Sequence, residues 1–266
     1  MTAADDSPVP DFSGLLRFDG QGVVVVGAGQ GNGRQTAHAF AQLGARVLCV
    51  DVDADRAHDI AAEVGGIACV ADAREREDVE RIVGEGVAAF GHLDAVADIV
   101  GMARWSPLVD TSDEDWDWSF GMVLRHAFLF TQIAGRVMSA AGRGSLVFVS
   151  SMSGIRSAPQ HGAYGAAKAG LLNMVRTAAV ELAPFGVRVN AVAPGAVATP
   201  RIVEQSSGRD LRVGQLGGFA RPADIAAAIL FLSSGLAEHI TGQTLAVDGG
   251  SLAQYPPATS SDPLGQ

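Results

Sequence analysis

Short apolar runs alternate with longer segments of helical period along the chain. The runs are Val23–Gly27, Arg46–Asp51, Ile67–Ala71, Ala95–Val100, Leu146–Ser150, Arg188–Val192 and Thr244–Val247, and most are valine-rich and apolar at successive positions. Polar–apolar alternation would mark strands with one wet face. Unbroken apolar runs mark strands covered on both faces, as in a parallel sheet. Between them, Arg34–Leu43, Ala54–Val64, Glu75–Phe90, Asp113–Ala140, Ala163–Leu182 and Pro222–Leu232 read as helices. This alternation predicts an α/β fold: a doubly wound, seven-stranded parallel sheet with helices on both faces. No Ser/Gly/Pro-rich linker divides the middle, so residues 19–250 are expected to form a single domain. Residues 1–18 and 251–266 are expected to be weakly ordered tails.

Composition narrows the function classes. The chain has 266 residues, is 48% hydrophobic and only 18% charged, and carries a formal net charge of −10. That balance opposes disorder and lacks the basic footprint of a nucleic-acid binder. No apolar run approaches the ~20 residues that span a bilayer. The N-terminus has no basic region before an apolar stretch, so no signal peptide, no membrane partner and a cytoplasmic location are expected. Cys49 and Cys69 lie in strand-like runs and read as reduced core thiols; no metal site is expected.

The first strand runs into Gly27-Ala28-Gly29-Gln30-Gly31-Asn32-Gly33, after which a helix opens at Arg34. Glycines there permit a tight turn and let a pyrophosphate approach the helix N-terminus, whose unpaired N–H groups favour an anion. Asp51 closes the second strand. A carboxylate there can accept hydrogen bonds from adenosine ribose hydroxyls and would repel a 2′-phosphate. Positions 30 and 52 carry no basic residue that could neutralise such a phosphate. NAD is therefore expected over NADP, although Asp51 could also serve, with Asp53, only to start the turn into the next helix.

Every basic side chain but one is arginine. The exception, Lys168, follows Tyr164 by four residues, and the chain has only two tyrosines. Positions i and i+4 share a helix face. A phenol is a poor base near neutrality, and a neighbouring ammonium stabilises its phenolate. Ser151 lies just beyond the strand Leu146–Ser150, at a carboxyl end where doubly wound folds place ligands. A hydroxyl there can donate to a carbonyl oxygen.

With these motifs in place the sequence resembles the short-chain dehydrogenase/reductase family over roughly Gly20 to Gly250. Gly27, Gly31 and Gly33 match the family's Gly-x-x-x-Gly-x-Gly turn, and Ser151, Tyr164 and Lys168 match its catalytic serine, tyrosine and lysine. Asn190–Gly195 looks like its post-strand Pro-Gly motif. Ile240–Gln243 and Val247–Gly250 look like its C-terminal strand signature. The resemblance implies a Rossmann fold, a homotetramer or homodimer, and a secondary alcohol or ketone as substrate. It implies that Asp72 and Ala73 face the adenine and that Pro194, Val197 and Thr199 lie by the nicotinamide. It further implies that Tyr164 exchanges the substrate proton, Ser151 orients the substrate oxygen, and Lys168 holds the nicotinamide ribose and tunes Tyr164.

Four positions depart from the family pattern. Val26 replaces a threonine. Asp98-Ile99-Val100-Gly101 stands where the family has Asn-Asn-Ala-Gly. Val123 replaces the helical asparagine of a water relay. Asn32 replaces an aliphatic residue beside the cofactor. Asp98 sits in an apolar run and needs a partner. These departures keep a second reading open, a catalytically weak NAD-binding sensor or structural partner. By family analogy Met102–Pro107, Ile155–His161 and Ala196–Leu216 line the substrate cleft. Arg104, Arg156 and Arg201 read as rim residues or carboxylate clamps, and His161 as a cleft or surface residue.

Overall fold

The computed structural model describes residues 7–206 and 214–253. Seven parallel strands form one sheet: β1 Gly22–Val26, β2 Arg46–Asp51, β3 Ile67–Val70, β4 Ala95–Asp98, β5 Gly144–Val149, β6 Val187–Pro194 and β7 Thr244–Val247. Their spatial order is β3-β2-β1-β4-β5-β6-β7. The direction of winding reverses between β1 and β4, which opens a crevice at the strands' carboxyl ends.

The helices are α1 Phe12–Leu15, α2 Gly31–Gln42, α3 Ala54–Val64, α4 Arg76–Phe90, α5 Asp113–Phe120, α6 His126–Ala141, α7 Gly162–Leu182, α8 Pro200–Ser206 and α9 Pro222–Ser233. Strand side chains alternate between two cores, because successive residues of a strand point to opposite faces. Val24, Val26, Val96, Leu146 and Phe148 pack against α4, α6 and α7 through Ile82, Leu129, Phe130, Leu171 and Val175. Val23, Val25, Ala97, Val147 and Val149 pack against α2, α3 and α9 through Phe40, Ile60, Ile225 and Ile229. Valine repeated at successive positions thus serves both cores at once.

Three features differ from the sequence pattern. The expected single helix Asp113–Ala140 is two, α5 and α6, joined by a π-helical turn at Gly121–Arg125. A π turn adds a residue without breaking the apolar stripe, so periodicity does not mark it. Helix α2 begins at Gly31, inside the glycine turn, and not at Arg34. The edge strands are only partly covered, with Ile67, Val70 and Leu245 exposed.

Order also begins before Asp19. Helix α1 is capped by Asp11, whose side chain accepts from the Ser13 N–H at 3.0 Å. Phe18 is fully buried, edge-on to Phe40 at 4.9 Å between ring centroids. Residues 1–6, and those from 254 onward in the expected C-terminal tail, lie outside the described residues. Cys49 and Cys69 are free and buried, and burial pushes their thiols up to about 12 and about 11. Among the described residues no helix is long and apolar enough to cross a membrane, and no cluster of His, Cys, Asp and Glu could hold a metal ion.

Candidate active site

The glycine turn behaves as its composition dictates. Gly27 and Gly31 adopt φ of +78° and +54°, in the left-handed region that favours glycine. A Cβ on Gly33 would stand 1.8 Å from the Gly27 carbonyl oxygen, so only glycine fits. Gln30, at the N-cap of α2, makes no side-chain cap bond. The first N–H groups of the helix therefore have no side-chain acceptor there.

In front of this turn lies a cavity of about 380 Å³, lined among others by Gly27, Gly31, Asn32, Asp51, Asp72, Ala73, Gly101 and Thr199. That volume falls in the range of small-molecule pockets. Asp51 is fixed at the tip of β2: its Oδ2 accepts from Gly29 N–H at 2.9 Å and its Oδ1 from Asp53 N–H at 3.1 Å. The carboxylate thus ties the glycine turn to the second strand. Asp53, separately, caps α3. Asp72 forms a forked ion pair with Arg74, which holds its carboxyl below the usual range. The Asn32 Oδ1 is buried without a hydrogen-bond partner among the described residues, an acceptor suited to a bound group. The donors, the Asp51 carboxylate and the cradle that a Cβ would fill suit a dinucleotide.

Sequence reasoning missed two arginines. Arg56 and Arg74 also line this cavity, beside Asp51 and Asp72. Arg56 reaches Asp53 at 3.7 Å. Its signal was present: it stands in the first turn of α3, close behind Asp51 in sequence. Of the remaining expected cofactor residues, Pro194 ends β6, Val197 is buried and bridges Ala220, and Gly33 packs on the turn itself. None of these three lines the cavity.

Ser151, Tyr164 and Lys168 converge at the carboxyl end of β5. Ser151 caps a 3-10 turn at Met152–Gly154, its Oγ accepting from Ser153 N–H at 3.1 Å. Tyr164 and Lys168 stand one turn apart on α7, with the Lys168 Nζ 5.7 Å from the Tyr164 ring centroid. Lys168 is 2% exposed and donates to the Val149 carbonyl at 2.7 Å. A Cβ on Gly101 would lie 2.9 Å from its Nζ, so the ammonium adjoins the cavity wall.

The electrostatics differ from the expectation that Lys168 acidifies Tyr164. Burial dominates and raises the phenol above its ordinary value; the Ser151 hydrogen bond and the Arg201 charge pull against it. Burial likewise pushes Lys168 down to about 8, against the favourable charge of Asp98. Near neutrality the pair therefore stands as phenol and ammonium. A protonated phenol beside a cation is a ready proton donor.

Two of the sequence departures, Val26 and Asp98, find partners. Val26 pairs in register with Asp98 across β1 and β4. Asp98 meets His126 Nδ1 at 2.6 Å, with both side chains sealed from solvent. Val123 is fully buried. On the cleft side, Trp105 stacks on His161 at 4.2 Å and stands edge-on to Tyr164 at 5.4 Å. His161 Nδ1 lies 2.7 Å from Ser153 Oγ, and burial lowers the His161 imidazole. Arg104 is held away by Asp115 at 2.7 Å and by the Trp118 ring at 4.3 Å. Arg201 lines the cavity. Residues 207–213 of the expected cleft lie outside the described residues.

A crevice at the switch point, a glycine-rich turn and a Ser-Tyr-Lys cluster define a dinucleotide-binding oxidoreductase site. Comparison with known proteins narrows that class. The family model described as Enoyl-(Acyl carrier protein) reductase matches residues 27–251. The 3-oxoacyl-(acyl-carrier-protein) reductase of Thermotoga maritima is 34% identical, covering 88% of this chain and 99% of that protein. D-threitol dehydrogenase of Mycolicibacterium smegmatis is 35% identical, covering 94% and 98%. The structure of 7 alpha-hydroxysteroid dehydrogenase complexed with NADH and 7-oxo glycochenodeoxycholic acid superposes with a TM-score of 0.84 at 29% identity, covering 90% of this chain and 96% of that one. The chain belongs to the short-chain dehydrogenase/reductase family, whose members use a nicotinamide cofactor.

Proposed function

We propose that this protein is an NAD-dependent oxidoreductase that interconverts a secondary alcohol and a ketone. The observation that carries this reading is a buried Lys168, with Tyr164 one turn before it, whose ammonium lies behind Gly101 in the wall of the cavity that Gly27, Gly31 and Asp51 also line. When bound there, a nicotinamide dinucleotide supplies the hydride acceptor or donor. Gly27, Gly31, Asn32 and the start of α2 would hold its phosphates; Asp51 would hold the adenosine ribose; Asp72 and Ala73 would face the adenine. Val197, Thr199 and Pro194 are proposed for the nicotinamide end. Preference for NAD rests on Asp51, fixed by two backbone N–H groups where a 2′-phosphate would come. Arg56 also lines this cavity, half-exposed and 3.7 Å from Asp53.

Ser151 orients the substrate oxygen toward Tyr164. In reduction the Tyr164 hydroxyl gives its proton to the developing alkoxide. In oxidation the phenolate takes the alcohol proton. Lys168 holds positive charge beside the phenol and reaches toward the ribose. Substrate packs against Trp105, His161 and Ile155, an aromatic and apolar wall suited to a ring or a moderately hydrophobic chain. Arg201, whose charge reaches Tyr164, is the arginine placed to meet an acidic group on the substrate. A homotetramer or homodimer in the cytoplasm is the proposed form.

The buried apolar Val123 motivates the second reading, an NAD-binding protein with little turnover. Assaying NADH formation over a panel of cyclic and acyclic secondary alcohols separates the two. Turnover with NAD, well above that with NADP, is expected. NAD binding without turnover of any alcohol, or of any ketone with NADH, would leave only the second reading.

A further inference from the structure

Asp98 ends β4 and is 1% exposed. A carboxylate so deep in an apolar sheet is costly unless its charge is met. Its Oδ1 accepts from Val100 N–H at 3.1 Å, and its Oδ2 lies 2.6 Å from His126 Nδ1. His126 opens α6 directly after the π-helical turn, and such turns recur at functional sites. With Nδ1–H spent on Asp98, the other ring nitrogen, Nε2, is buried and has no hydrogen-bond partner among the described residues.

The carboxylate has a second neighbour. Asp98 stands in register with Phe148 of β5, next to Val149, whose carbonyl takes the Lys168 ammonium at 2.7 Å, and a carboxylate so placed favours the charged form of the lysine. The groups facing Lys168 come from three elements: Tyr164 on its own helix, the Val149 carbonyl on β5, and Asp98 on β4. Among the described residues, Asp98 is the acid that acts on it. Behind the pair, His126 acts in turn on Asp72, which Arg74 holds. A pair serving only to fill space would be replaceable by apolar side chains at little cost.

We propose that Asp98 and His126 are a positioning pair: Asp98 keeps Lys168 protonated, His126 fixes the Asp98 carboxylate, and together they set the pH range in which Tyr164 exchanges its proton. The last clause rests on the function proposed for Tyr164; the first two do not. Where the family pattern has an amide at position 98 this chain has a carboxylate, and its imidazole partner comes from His126, three residues after Val123.

The chain contains one lysine, so the first part can be read directly. Full-length protein made with lysine carrying carbon-13 at Cε gives one side-chain resonance, that of Lys168. Its titration midpoint is followed in the wild type, Asp98→Asn, His126→Leu and His126→Asn, with NAD binding as the check of folding. Asp98→Asn keeps the shape and removes the charge, and should lower the midpoint by about one pH unit or more. His126→Leu should lower it partway. His126→Asn, whose amide N–H replaces the Nδ1–H donor, should restore it. An unchanged midpoint in Asp98→Asn overturns the proposal. Should that chain not fold, equal midpoints in the two His126 variants overturn it as well.

The pH profile of alcohol oxidation is then compared. Loss of the ammonium at lower pH leaves the phenolate without its partner, so the rising limb in Asp98→Asn should move to higher pH. A shifted Lys168 midpoint with an unmoved profile overturns the link to Tyr164 and counts against the function proposed for that residue, leaving the pair's effect on Lys168 standing.

Discussion

At the scale of the residue, the proposed chemistry rests on two groups that burial drives apart in acidity. Tyr164 is raised and Lys168 is brought down to about 8, so both change charge on the alkaline side of neutrality. Alcohol oxidation needs a phenol that has lost its proton; ketone reduction needs one that has kept it. The oxidation kcat should therefore climb with pH on the alkaline side while the reduction kcat falls. Steady-state rates in both directions check this, and parallel slopes would contradict it. The apparent midpoints will belong to the pair and not to either residue alone. Asp51 makes a separate prediction. Asp51→Ala removes the proposed acceptor for ribose and the charge proposed to oppose a 2′-phosphate. It should weaken NAD binding by about tenfold or more, the scale of a lost hydrogen bond to a charged group, and narrow the gap to NADP. Calorimetric titration with both nucleotides measures it. Tyr164 and Lys168 could be read from sequence because an i, i+4 offset on a helix fixes their face, and because lysine occurs once. The partner of Asp98 could not: His126 is 28 residues away, and the π turn that precedes it leaves no mark in the periodicity.

At the scale of the element, the glycine turn and the opening of α2 form one device. Gly33 must lack a Cβ because the Gly27 carbonyl occupies that space. Gly33→Ala should force the turn open, destabilise the fold by about 1–3 kcal/mol as overpacking does, and weaken NAD binding. Thermal unfolding and nucleotide titration test the two effects together; unchanged values in both would show that the turn yields easily. The start of the helix at Gly31 escaped the pattern because Gly31, Asn32 and Gly33 are poor helix formers. Packing and the turn override propensity there. The same override explains why edge strands β3 and β7 read as apolar runs yet stay partly exposed. An apolar run reports the number of potential core faces, whereas exposure depends on which neighbour lies alongside.

At the scale of the whole molecule, the five inner strands were readable because each serves two cores and so carries successive apolar residues. Sheet order was less directly encoded; it follows from the rules of parallel crossovers once strands and helices alternate. The start of the packed fold was hidden, since Phe12–Phe18 is too short a run, between proline- and acid-rich flanks, to show a period. Phe18 nonetheless fills a site against Phe40, and Phe18→Ala should cost about 3–5 kcal/mol. Chemical denaturation measures that loss, and a cost near zero would show that the segment is not part of the core. The central claim is that this chain moves a proton through Tyr164 as hydride passes at the cavity beside it. Single-turnover oxidation of a secondary alcohol by NAD, in wild type and Tyr164→Phe, tests it most directly. With NAD affinity matched, the variant should lose roughly a hundredfold or more of the rate, as expected when a general base is removed. A Tyr164→Phe enzyme that turns over at the wild-type rate would contradict the claim.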